Sequence, residues 1–192
     1  AMGIDDDQPL IVSYWGSLGA REMNKKIAQF FACEAADGLP FRHIHACGSF
    51  GWRWMPEYVK ELGVDLAAHP RIDMREYIYD MPQVLAAADL IVCRAGAATI
   101  AEVCASGTPC IMVPSPNVTG NHQEKNARVL ERSGAAAVVR EADCDGKSLY
   151  ETAKAILSDA GRMRAMRASA RDMAVVDAAE RIYQTALDLA KH

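Results

Sequence analysis

Apolar residues gather along this chain in short blocks, separated by stretches in which they recur every three or four positions. LIVSY (10–14), FRHIHAC (41–47), DLIVC (89–93), PCIMV (109–113) and AAAVVR (135–140) are the blocks. Their length and their content of branched residues predict strands. Between 64 and 79 the signal is mixed, and EYI (76–78) reads as a strand there. The intervening stretches read as helices. REMNKKIAQFFACEAA (21–36) sets Met23, Ile27, Phe30 and Phe31 at helical spacing. MPQVLAAA (81–88) carries Pro82 near its start, where a missing amide donor costs nothing. RAGAATIAEVCASG (94–107) and HQEKNARVLERSG (122–134) both end on glycine, a common helix stop. GSFGWRWMPEYVKELG (48–63) predicts a loop and a short helix, and helical segments follow ADCDGK (142–147) to the end, with Ala178, Ile182 and Ala186 on one face.

Strand and helix therefore alternate throughout, and several strands are apolar on both faces. That pattern predicts an α/β domain of three layers, a mostly parallel sheet covered by helices on either side. Ligands in such folds bind beyond the carboxyl ends of the strands. Three strand-to-helix loops thus carry the candidate chemistry: WGSLG (15–19), RAGAAT (94–99) and PSPNVTGNH (114–122).

In the first loop, Gly16 and Gly19 permit a tight turn whose amides, with the dipole of the following helix, suit a phosphate; the Ser17 hydroxyl adds a hydrogen bond. The alternative is a plain helix entry, and Trp15 stands where a small residue would fit best. In the second loop Glu102 follows Thr99 by three residues, the spacing of a capping box. Alternatively the Glu102 carboxylate accepts from both hydroxyls of a ribose. Arg94 binds phosphate or fixes the loop through an ion pair. In the third, Gln123 offers a donor and an acceptor to sugar hydroxyls, and His122 binds phosphate or caps its helix. Together the loops suit a nucleotide-sugar or dinucleotide. No Ser-His-Asp set or carboxylate pair for hydrolysis is evident.

Composition narrows the picture without redirecting it. Apolar residues make up 51% and charged residues 24%, an ordinary globular balance. The net charge of −4 gives no nucleic-acid footprint. The six cysteines form no CxxC pair or zinc spacing and read as reduced, buried thiols; no metal is expected. FGWRWMPEY (50–58) is an aromatic and basic stretch whose alternatives are core packing or contact with a membrane or partner, and RMRAMRASARDM (162–173) reads as an amphipathic surface helix. Residues 1–9 read as a junction or interdomain-linker remnant, and 10–192 as one domain.

GSLGAREMN (16–24), YIYDM (77–81), ADLIVCRAGAATIAEVCASGTPCIMVPSP (88–116) and NHQEKNARVLERSGAA (121–136) resemble the C-terminal half of the MurG family of bacterial peptidoglycan glycosyltransferases. RAGAATIAE and NHQEKNA are the most specific pieces. The resemblance implies a Rossmann-like domain, the C-terminal half of a GT-B fold, that holds UDP-GlcNAc as donor substrate with no obligatory cofactor. It implies that Gly16 and Ser17 meet the diphosphate and that Ile78 meets uracil through its backbone. Ala97, Ala98, Thr99, Ile100, Ala101 and Glu102 would surround phosphate and ribose, with Glu102 on the ribose. Gln123 would meet the GlcNAc hydroxyls beside His122, and Arg94 would support its loop. The implied reaction is inverting transfer of GlcNAc to lipid I, giving lipid II, by a hexosyltransferase peripheral on the cytoplasmic face of the membrane. The acceptor-binding N-terminal domain would be the partner, and this half alone would be inactive. A freestanding donor-binding subunit of a two-component transferase and a non-catalytic nucleotide-sugar sensor are the alternatives. The family's paired glycines before the serine are broken here by Trp15.

Overall fold

A computed structural model describes residues 8–190. Six strands, β1 (Leu10–Tyr14), β2 (Arg42–Ala46), β3 (Ile72–Arg75), β4 (Leu90–Cys93), β5 (Cys110–Met112) and β6 (Ala136–Val138), form one sheet in the order β3-β2-β1-β4-β5-β6. Every pairing is parallel. β1 and β4, at the centre, are buried along their whole length, which is why they read as unbroken apolar runs.

Helices cover both faces. α1 (Arg21–Ala36), α3 (Met55–Glu61) and α7 (Gly146–Leu157) enclose one core around Phe30, Phe31, Ile27 and Met55. The other face packs α4 (Met81–Ala87), α5 (Ala97–Ser106) and α6 (His122–Ser133) on Val12, Ile91, Val103 and Leu130. The short helix α2 (Gly48–Gly51) follows β2, and α8 (Ala160–Asp172) packs on α5 and α7. Gly107 and Gly134 end α5 and α6 in the left-handed conformation, as their sequences predict. α9 (Ala178–Ala190) lies exposed along its entire length, so the face shared by Ala178, Ile182 and Ala186 covers nothing among the described residues.

The strand expected at 76–78 lies earlier, at Ile72–Arg75. Only Ile72 of that edge strand is buried, so its apolar signal is too thin to mark it. All the described cysteines are free, and all but Cys33 are buried. Burial pushes the Cys47 thiol up to about 11. No helix among the described residues is long and apolar enough to cross a membrane.

Candidate functional site

The strand order reverses direction between β1 and β4, the position beyond whose carboxyl edge folds of this kind bind ligands. Gly16 and Gly19 shape the first loop, at φ +85° and +77°, and the Gly19 amide donates to the Gly16 carbonyl at 3.1 Å. A Cβ on Gly16 would meet nothing, whereas one on Gly19 would collide with the Cys47 carbonyl oxygen. Gly16 and Ser17 are exposed at the mouth of the loop. α1 begins with no side-chain cap, leaving its first amides free of competition from a capping residue.

Trp15 turns away from this opening. Its ring is 6% exposed within the α1-side core, and the Arg94 guanidinium covers it at 5.7 Å. The indole Nε1 has no hydrogen-bond partner. Arg94 is itself fixed: it donates to the Val113 carbonyl at 3.1 Å and pairs with Glu141 at 2.6 Å. Of the two alternatives read from the sequence, this is the loop-supporting arrangement.

α5 starts at Ala97 behind an extended Gly96, and no side chain caps it. The Thr99–Glu102 capping box is therefore not formed: the helix begins earlier than that spacing requires, and Thr99 sits inside its first turn. Ala97, Ala98, Ala101 and Glu102 are exposed, while Thr99 and Ile100 are half-buried. Glu102 lines a groove of about 370 Å³ between α4 and α5, with Met81, Leu85 and Ala105. Ile78, just before α4, is buried as a whole residue, at 2% exposure.

The third loop is stitched to the second by α6. Gln123 Oε1 accepts from the Ser115 amide at 2.9 Å and the Ala95 amide at 3.4 Å, leaving its Nε2 donor for a ligand. Asn126 Nδ2 donates to the Ala95 carbonyl at 3.3 Å, so two side chains one helical turn apart hold both backbone groups of one residue. The sequence reading gave Asn126 no role; its spacing of three from Gln123 is the signal that could have found it. His122 is exposed, and its Nδ1 donates to the Thr119 carbonyl at 3.0 Å, so Nε2 faces outward. A larger cavity of about 580 Å³, lined by Lys26, Ser115, Asn121, Arg140 and Glu141, opens beyond the Arg94–Glu141 pair. None of the predicted site residues lines it, and its charges are mixed, whereas the α4–α5 groove is lined by Glu102 of that set and otherwise mainly by apolar side chains.

A Ser-His-Glu array absent from the sequence reading does exist. Ser13 Oγ lies 2.7 Å from His43 Nε2, and His43 Nδ1 lies 3.1 Å from Glu34. Ser13 and His43 have no exposure and Glu34 has 1%, so no substrate reaches this serine. Among the described residues, no cluster of His, Cys, Asp and Glu could hold a metal ion.

The model of the glycosyltransferase family 28 C-terminal domain matches residues 11–182. The chain belongs to this family. Its relatives include the UDP-N-acetylglucosamine--N-acetylmuramyl-(pentapeptide) pyrophosphoryl-undecaprenol N-acetylglucosamine transferases of Acetivibrio thermocellus and Salinibacter ruber. The first is 39% identical over 100% of this chain and 50% of its own length, and the second 41% over 99% and 49%. The crystal structure of Acinetobacter baumannii MurG superposes with a TM-score of 0.77 at 28% identity, covering 94% of this chain and 50% of that one. This family 28 domain thus spans about half the length of the curated relatives it matches. The parallel α/β sheet expected from the sequence is the architecture it shares with that structure.

Proposed function

We propose that this family 28 domain, residues 10–192, binds UDP-GlcNAc for a two-domain inverting hexosyltransferase that converts lipid I to lipid II. The observation that supports the reading is the linkage of the three strand-end loops: Arg94 lies over Trp15, and Gln123 and Asn126 bond the backbone of Ala95. The relatives' names supply the donor and acceptor for those proteins.

In this reading the exposed amides and hydroxyl of Gly16 and Ser17, with the α5 start at Ala97–Thr99, receive the diphosphate. Ile100 and Ala101 flank the ribose, and Glu102 accepts from its hydroxyls. The backbone at Ile78 meets uracil at the end of the α4–α5 groove. Gln123 Nε2 and His122 address the sugar. Inversion requires the acceptor oxygen to attack opposite the departing UDP, so charge grows on the diphosphate. Preorganised amides at helix starts stabilise that charge as it develops. The acceptor and its activating base belong to an N-terminal half, so this domain alone binds donor without transferring it, and the two-domain enzyme works peripherally on the cytoplasmic membrane face. Titration calorimetry with UDP-GlcNAc, UDP-galactose and NAD tests the donor assignment. Heat from the uridine nucleotides and none from NAD is expected; no heat from UDP-GlcNAc at millimolar concentration sinks the reading.

A further inference from the structure

Of the six buried polar or charged side chains among the described residues, five form one connected chain: Glu34, His43, Ser13, His45 and Asn24. Each is at most 1% exposed. Ser13 Oγ bridges the two imidazoles at 2.7 Å on either side, and His45 Nε2 lies 3.3 Å from Asn24 Oδ1. Burying such groups is unfavourable unless each finds partners, and an apolar set would fill the same space. A fully connected network rigidifies what it touches.

Its far end touches the glycine loop. Asn24 Nδ2 donates to the Cys47 carbonyl at 2.7 Å. That same carbonyl oxygen is the atom a Cβ on Gly19 would strike. A Cβ on Gly48 would strike the Gly19 amide nitrogen, and one on Gly51 would strike Asn24 Nδ2. The Ser49 amide donates to the Ser17 carbonyl at 3.1 Å. Three glycines thus clear a slot in which the 47–51 backbone, fixed by Asn24, is pressed against the 16–19 backbone.

We propose that the buried chain from Glu34 to Asn24 is a positioning element for the glycine loop, acting through the Asn24–Cys47 hydrogen bond to hold the loop amides in the geometry a diphosphate requires. None of its members touches a ligand. The diphosphate part rests on the donor reading above; the loop-holding part does not.

The test uses the whole 192-residue chain. Asn24→Asp keeps the shape and removes the donor; Asn24→Ser and His45→Phe are alternatives should the buried carboxylate prevent folding. Thr108→Val, which deletes the buried hydroxyl bonded to the Leu85 carbonyl outside this chain, is the control. Affinities for UDP and for uridine are measured beside amide hydrogen exchange of residues 16–19 and 47–51. In the folded Asn24 and His45 variants, UDP should weaken at least tenfold with uridine unchanged, and both segments should exchange at least tenfold faster; Thr108→Val should change neither. Equal loss of UDP and uridine, or unchanged exchange in the loop, overturns the proposal. Should the wild type bind no UDP, the donor reading fails, while the exchange rates still decide whether the chain holds the loop.

Discussion

The Arg94 guanidinium lies 5.7 Å above the Trp15 ring while it pairs with Glu141 at 2.6 Å. The residue that interrupts the glycine loop in the sequence is thereby drawn into the core, and the loops after β1, β4 and β6 become one assembly. Replacing Trp15 with Ala leaves a large cavity and should cost about 3–5 kcal/mol. Trp15→Phe keeps one aromatic ring, removes an indole N–H that has no partner and leaves a smaller void, so it should cost less than Trp15→Ala. Arg94→Met abandons the half-buried Glu141 and should cost about 2 kcal/mol. Urea unfolding measures all three; a Trp15→Ala variant as stable as the wild type would contradict the inward placement.

Glu102 has no capping duty, since α5 is led by Gly96. Glu102→Ala should leave the unfolding midpoint within the range of ordinary surface changes, about 0.5 kcal/mol. The same change should weaken UDP by about 1.5–3 kcal/mol if the carboxylate holds a ribose. A melting-temperature loss with full UDP affinity would return Glu102 to a structural role.

Gln123 divides its amide between two tasks: Oε1 braces Ser115 and Ala95, and Nε2 is left over. Gln123→Glu retains the acceptor and loses the donor. It should leave UDP affinity intact and weaken UDP-GlcNAc about tenfold, the loss of roughly one charge-free hydrogen bond. Gln123→Ala should weaken both, because the loops lose their brace. Identical behaviour of the two variants in calorimetry would refute this division.

Burial holds the His45 imidazole well below its usual range, and His43 beside it acts in the same direction. Ser13 and Asn24 are its other polar neighbours, and Glu34 faces it across His43. The unfolded chain therefore takes up a proton near pH 6.5 that the folded chain refuses. Stability from this group is complete above that pH and is lost as the pH falls below it, by at most about 1.4 kcal/mol per pH unit. Asp37 and Asp145, held low by Lys154 and by the Ser148 amide respectively, lose their contributions only at more acidic pH. His45→Phe should flatten the stability profile between pH 5 and 6.5; an unchanged slope would assign the dependence elsewhere.

The alternation of apolar runs and helical spacing was enough to read the sheet, because its central strands are buried on both faces and the helices between them are amphipathic. The third strand escaped because an edge strand with one buried residue leaves almost no pattern. The spacing of Thr99 and Glu102 left a capping box and a ribose contact open, and only the start of α5 at Gly96, on backbone conformation alone, removes the first. The three loops were legible from strand ends, yet the direction of Trp15 depends on Arg94, far along the chain. The polar chain is half visible: His43 and His45 alternate on β2, but only the register that sets Ser13 opposite His45 joins them.

The glycine slot also sets a limit on recombination. Because Gly48 and Gly51 are shaped around Gly19 and Asn24, residues 16–24 and 47–51 form a single transplantable part although a helix and a strand separate them in sequence. A chimera that imports the first segment without the second inherits a lock whose wards no longer match its key.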